Sequence, residues 1–194
     1  HFSENFSVQR VPIVLFLLHR MRAGIIVKFD HFGDIMMHNL RDQNAIAKTA
    51  FTLLTVDLIN SETPIYTGLC SHPGERVQLA LERERKTGVK ELPEFVFAVN
   101  LCIPADVIYH AVFYYGIDKT TMDEIQNCET AFGRLMNKFI LGDSDEFRNN
   151  AFKLIPRVVE GNFVVRKGVG TKPAILGKKI KQCYVKTDRY FEII

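Results

Sequence analysis

Five short runs of this chain, the last two overlapping, hold residues that could do chemistry at close spacing, and each can be measured against the pattern that the chemistry demands. Asp30, His31, Asp34 and His38 offer carboxylate and imidazole ligands for a divalent metal. The zinc pattern H-E-x-x-H is missing, and Phe32 and Gly33 interrupt the helix that would bring the four onto one face, so no metal site is expected. Cys70-Ser71-His72 sets a thiol, a hydroxyl and an imidazole side by side. Catalytic nucleophiles and their bases meet through the fold and not as chain neighbours, so this run reads as a turn with a helix cap. Gly142-Asp143-Ser144-Asp145-Glu146 lacks the glycine and distal Glu of a calcium loop, which leaves Asp143 or Ser144 to cap the turn into Phe147. Between Gly170 and Gly177 lie six residues where a phosphate-binding P-loop needs four, and Lys179 stands where its Ser/Thr belongs. Gly168-Val169-Gly170 begins like a dinucleotide fingerprint, but Pro173 and the lack of a following helix end the match. No nucleophile, base and orienting group can be nominated together, so a non-enzymatic chain without a cofactor, other than a bound lipid, is expected.

Charge is the next signal. The net charge of the 194 residues is only +3. Residues 151–194 hold ten Lys/Arg against three acids, a net of +7, which leaves 3 − 7 = −4 on residues 1–150. A basic end of this kind faces phosphate or an anionic membrane, or serves as a solvated face. Arg157, Arg166, Lys167, Lys172, Lys178 and Lys179 are the cations offered to a headgroup, each contributing about 1 kcal/mol beside an anionic surface. Zinc-finger spacing and RNP-type aromatics are both absent, so nucleic acid is not an expected partner. Cys70, Cys102, Cys128 and Cys183 form no C-x-x-C pair, which points to free thiols in a reducing compartment, cytoplasmic or at a membrane periphery. Cys102 and Cys183 lie in apolar strand-like runs and are expected to be buried. Residue 1 is His, so the chain is expected to be a fragment, a processed product or the ordered part of something longer. Val11 to Leu18 is strongly apolar but far short of the roughly 20 residues of a spanning helix, and reads as a buried strand or helix, with an interfacial anchor as the second reading.

The elements that must position these residues follow from periodicity. Ala50 to Ile59 reads as a strand, and Ser71 to Gly88 as a helix with Ser71 or His72 as cap and Pro73 at its first position. Glu94 to Ile103 and Val107 to Ile117 form a hairpin across Pro104-Ala105-Asp106. Both faces of its first strand are apolar, which implies a layer or a ligand-filled space on each side. Lys119 to Leu141 reads as one amphipathic helix, opened by a Thr121/Glu124 capping box and closed at Gly142. Phe152 to Val159, Asn162 to Val169 and Lys181 to Ile193, the last bent at Thr187-Asp188, complete the strands. The sum is an α+β fold: a curved antiparallel sheet covered by a long helix. Residues 1–44 form a leading segment and 45–194 one domain.

Several blocks in this second part carry a resemblance. Phe152-Lys153-Leu154-Ile155-Pro156-Arg157-Val158-Val159-Glu160-Gly161, Val169-Gly170-Thr171-Lys172-Pro173-Ala174-Ile175-Leu176-Gly177-Lys178 and Tyr190-Phe191-Glu192-Ile193 closely resemble the C-terminal domain of the plant Enhanced Disease Resistance Two family. Ser71-His72-Pro73-Gly74, Val99-Asn100-Leu101-Cys102-Ile103-Pro104, Tyr114-Tyr115 and Gly142-Asp143 through Phe147-Arg148 fall in the same order. The resemblance covers about residues 45–194 and departs at Asn162-Phe163, where the family usually carries Trp. It implies a non-enzymatic domain often found downstream of a pleckstrin-homology domain and a lipid-binding START domain in membrane-associated proteins, and with it a START-like helix-grip arrangement.

Two functions are then in play. In the first, a lipid-binding or membrane-associated module encloses an apolar cavity lined by Phe97, Val99, Phe113, Tyr115, Phe132, Leu135 and Phe139, with the basic face at the headgroup. In the second, the chain is a structural or interaction subunit of a larger protein assembly and has no ligand of its own.

Overall fold

The computed structural model describes residues 7–9, 26–28, 50–103, 108–154, 157–160, 174–175, 178 and 180–194. In chain order the elements are β1 (Ser7–Gln9), β2 (Ile26–Lys28), β3 (Thr52–Ser61), a 3-10 turn at Leu69–Ser71 and helix α1 (Arg76–Thr87). The strands β4 (Phe95–Ile103) and β5 (Ile108–Ile117) follow, then α2 (Lys119–Asn127), α3 (Ala131–Met136) running into a π-helical stretch at Asn137–Leu141, and α4 (Asp145–Ala151). The chain closes with β6 (Lys153–Leu154), β7 (Arg157–Glu160), β8 (Ala174–Ile175), β9 (Tyr184–Lys186) and β10 (Tyr190–Ile193). Two compact units emerge, one from residues 1–10, 50–143 and 182–194, the other from residues 11–49 and 144–181.

The first unit is built on a six-stranded sheet in the order β1-β3-β5-β4-β10-β9. β3, β5 and β4 pair antiparallel, as the hairpin signal requires. β10 instead pairs parallel to β4, with Tyr190 opposite Val96 and Phe191 opposite Phe97. The sheet is therefore mixed and not purely antiparallel. More than seventy residues separate these strands in the chain, ample length for the crossover that a parallel pair needs.

Alternation along the strands sorts the interior into two cores. Val96, Ala98, Val112, Tyr114 and Tyr190 pack with Ile65, Leu69, Cys70 and Val77 on the face that α1 covers. The opposite face is aromatic: the Phe97 ring lies 5.4 Å from Phe51, 5.9 Å from Phe191 and 6.4 Å from both Tyr115 and Phe139. α2, α3 and the π-helical stretch supply the cover there, through the buried Met122, Ile125, Met136, Phe139 and Ile140.

That cover is two helices and not the single helix expected over Lys119 to Leu141. Cys128 ends α2 in the left-handed region at φ 58°. Thr130 then starts α3, its hydroxyl accepting the Gly133 N–H at 2.8 Å and bonding the Glu124 carboxylate. A Cβ at Gly133 would stand 2.4 Å from the Glu124 carbonyl oxygen, so the two helices meet where only glycine fits. The expected capping box gives way to Asp118, which accepts from Thr121 N–H at 2.7 Å. α1 likewise begins later than expected: Glu75, not Ser71 or His72, is its cap, and Pro73 lies before it.

In the second unit, β2 pairs antiparallel with β7 and β6 with β8. Ser144 caps α4 by accepting the Phe147 N–H at 3.1 Å, as the sequence anticipates. Asp30, His31, Asp34, His38, Val11 to Leu18 and Asn162 to Val169 lie outside the described residues.

Candidate functional site

Of the six cations expected at a headgroup, Arg157 is placed in β7 and Lys178 is exposed, while Arg166, Lys167, Lys172 and Lys179 lie outside the described residues. The structure adds two neighbours that the sequence reading passed over. Lys181 is exposed, and so is Ile180, with 58% of its surface accessible. Two further cations of the basic end are committed elsewhere. The Lys186 ammonium donates to the Leu141 carbonyl at 2.8 Å and pairs with Asp143. Arg189 grips Glu84 at 2.9 Å and, as the strongest of the bonds on that carboxylate, holds it down at about 2.

The apolar candidates gather on the sheet face opposite α1. Phe97, Val99, Phe113, Tyr115 and Phe139 are buried there, and Phe132 and Leu135 on α3 are half-buried. Burial pushes the Tyr115 phenol up to about 12. Phe97 meets both Tyr115 and Phe139 ring to ring, with Phe139 also 5.9 Å from Phe191.

Sequence reasoning missed a buried polar network on the other face. Glu192, the polar member of β10, accepts from the backbone N–H groups of Leu69 (3.0 Å) and Cys70 (2.9 Å) and from the Asn100 amide at 3.2 Å. The Asn100 carbonyl oxygen meets His110 Nδ1 at 3.0 Å, and His110 Nε2 lies 3.4 Å from the Ile65 N–H. Since Nε2 must accept, Nδ1 carries the proton. Beside this chain, Glu75 accepts from Val77 N–H at 2.8 Å and from the Tyr114 hydroxyl. Arg76 binds Asp57 through two bonds, of 2.9 and 2.7 Å, while its guanidinium sits 5.8 Å from the Tyr114 ring centre. Burial dominates the titration of these groups. It pushes Glu75 up to about 7, raises Glu192 and Tyr114, raises the Cys70 thiol strongly and lowers His110. Cys70 is thus a protonated thiol and His110 a neutral imidazole at pH 7. Their hydrogen bonds fasten the 62–75 loop to the sheet. The signals in the sequence were single polar residues, Asn100 and Glu192, inside strands that are otherwise apolar on that face.

Contrary to the sequence expectation, Cys102 and Cys183 are only half-buried, because they lie at strand ends, and Cys70 is the fully buried thiol. Among the described residues no three His, Cys, Asp or Glu side chains converge to hold a metal, and no helix is long and apolar enough to cross a membrane.

Residues 40–194 match the family described as Protein ENHANCED DISEASE RESISTANCE 2, C-terminal. The chain belongs to this family. A relative from Arabidopsis thaliana, Protein ENHANCED DISEASE RESISTANCE 2-like, is 38% identical over 99 residues, which are 51% of this chain and 12% of that protein. This member of the Enhanced Disease Resistance 2 C-terminal family thus spans a small part of its relative's length. No solved structure matches it.

Proposed function

We propose that this domain is a binding module that acts without catalysis and associates with lipid through a basic face. The observation that carries the reading is the segregation of charge: +7 on residues 151–194 against −4 on the rest. Lys186 and Arg189 are spent on internal pairs, while Lys178 and Lys181 remain exposed. Anionic headgroups attract such a segment, and the attraction weakens as salt shortens the Debye length from about 10 Å at 0.1 M. Family membership favours the same reading, since the resemblance links these domains to lipid-binding START neighbours. A START-like helix grip, with α2 and α3 closing on the aromatic face, belongs to this reading as its fold-level form.

A binding role is also favoured by the state of the reactive groups. Cys70, His110, Glu75, Glu192 and Tyr114 are buried, and each carboxylate and imidazole is engaged by hydrogen bonds inside the molecule. The test is solvent extraction and native mass spectrometry of the purified chain, combined with sedimentation against vesicles at rising salt. A lipid in the extract, or salt-sensitive sedimentation with anionic vesicles, is expected. The reading fails if the extract is bare and the chain stays in the supernatant at every salt concentration.

A further inference from the structure

We infer that Ile180, held in solvent between Lys178 and Lys181, is the point at which this domain enters the surface of an anionic bilayer. The inference rests on the lipid reading above and gives it a location and a mode.

Five large apolar side chains are exposed among the described residues: Leu53, Leu54, Tyr66, Val89 and Ile180. Their electrostatic settings separate them. Val89 also stands among lysines, but Lys86 is paired with Glu82 and Lys90 with Glu94, so the field around it is neutralised locally. Leu53, Leu54 and Tyr66 have no cation beside them in the chain. Ile180 alone of the five sits in the run Lys178-Lys179-Ile180-Lys181, where the nearest acids in the chain are Glu160 on one side and Asp188 on the other. Among the described residues, neither Lys178 nor Lys181 has an ion-pair partner. An exposed aliphatic side chain between Lys178 and Lys181, two exposed lysines, matches the layered chemistry of a bilayer surface. Phosphates and carboxylates lie outermost there, with acyl chain a few ångströms below.

The composition favours a bilayer over an acidic protein. Protein interfaces draw on Arg, Tyr and Trp as anchors and are depleted in Lys, whose hydrated point charge makes few directed bonds. A diffuse anionic surface asks only for positive charge and an apolar tip. Ile180 is also exposed enough that changing it removes little packing from the folded domain.

The experiment is co-sedimentation of the full 194-residue chain with vesicles of phosphatidylcholine alone and of equal parts phosphatidylcholine and phosphatidylserine. Wild type is expected to partition to the anionic vesicles. Losing Ile180 in Ile180→Asp should weaken binding about ten-fold or more, with Ile180→Leu restoring it. Lys178→Gln and Lys181→Gln should each weaken it roughly five-fold and flatten its salt dependence. Thermal melts should superimpose for all four variants. Undiminished binding of Ile180→Asp would overturn the inference and leave membrane association standing through other residues. A wild-type chain that ignores both vesicles yet carries an extractable lipid would also overturn it, in favour of an interior site. Ile180-dependent retention on polyglutamate in the absence of vesicle binding would replace the bilayer with an acidic protein partner.

Discussion

Glu192 and Cys70 are joined across 122 residues of chain: the carboxylate of the last strand accepts the backbone N–H of the 3-10 turn at 2.9 Å, beside that of Leu69. Three donors converge on these two oxygens, the third being the Asn100 amide. A buried carboxylate is tolerated there because both of its oxygens accept N–H groups. Glu192→Gln has no good orientation, since its new amide group must face a donor whichever way it turns. The substitution is expected to cost about 2–4 kcal/mol, measurable as a shift of the urea midpoint without a change of slope.

Glu75 behaves differently, although it is buried as deeply. It accepts from the Val77 N–H, with the Arg76 N–H beside it, and from a hydroxyl, and the Tyr114 hydroxyl can turn to accept as well as donate. Glu75→Gln can therefore keep both contacts while removing the buried charge. The sign of the pH effect follows from the raised carboxyl, which moves from 4.5 to about 7. Between those values the folded state binds more protons than the unfolded one, so this group makes stability fall as pH rises, and the loss is complete above 7. The full swing is at most roughly 3 kcal/mol. Urea titrations from pH 4 to 8 should show the variant gaining on wild type as pH rises across this window. His110 contributes with the opposite sign, losing stability as pH falls, and its contribution cancels in the difference curve, which reports Glu75 together with its coupling to Glu192.

How much of this was legible depends on the range of the interaction. β4 and β5 lie within one residue of the runs read from alternation, whereas the single bent strand expected over Lys181 to Ile193 reverses at Thr187-Asp188 into the antiparallel pair β9 and β10. Ser144 was readable because a cap involves residues three apart. The break at Cys128 was hidden, since Ile125, Cys128, Phe132, Leu135 and Phe139 continue a helical spacing straight through it. Thr130 followed by Gly133 was the one local trace of a second start. The polar network joins loop, hairpin and last strand, and no window of sequence contains it. The Lys178–Lys181 run was visible as charge, but only the structure shows the isoleucine within it in solvent.

Two glycines separate steric from conformational demand. Gly88 ends α1 at φ 71° with open space around its missing Cβ, whereas Gly133 must admit the Glu124 carbonyl. Gly88→Ala should cost about 1 kcal/mol, with Gly88→Asn milder because Asn tolerates the left-handed region. Gly133→Ala should cost about 2–3 kcal/mol, because backbone and not a pliable side chain stands in the way. Melting curves of the three variants rank them directly.

The aromatic face yields a test of what fills it. Phe97 is fully buried and meets four other rings, so Phe97→Ala is expected to cost about 3–5 kcal/mol. Leu135 on α3 is half-buried. Leu135→Trp should lower stability by about 1–3 kcal/mol if its inner side meets packed rings. A Leu135→Trp chain of unchanged stability that has lost a copurifying lipid would instead place a ligand against this helix.

Asp57 and Arg76 form a pair with unequal halves: the carboxylate is 5% accessible, the guanidinium 33%. Removing the arginine leaves a buried anion near Glu75 and also strips the cation from the face of Tyr114. Removing the aspartate leaves a guanidinium that water can reach. Arg76→Leu is therefore expected to cost more than Asp57→Asn, about 3 kcal/mol against about 1. The double variant should fall well short of the sum, because once Asp57 is neutral the loss of Arg76 no longer strands a charge. A double-mutant cycle by urea denaturation measures this coupling, and additive losses would show that the two residues stabilise the domain independently.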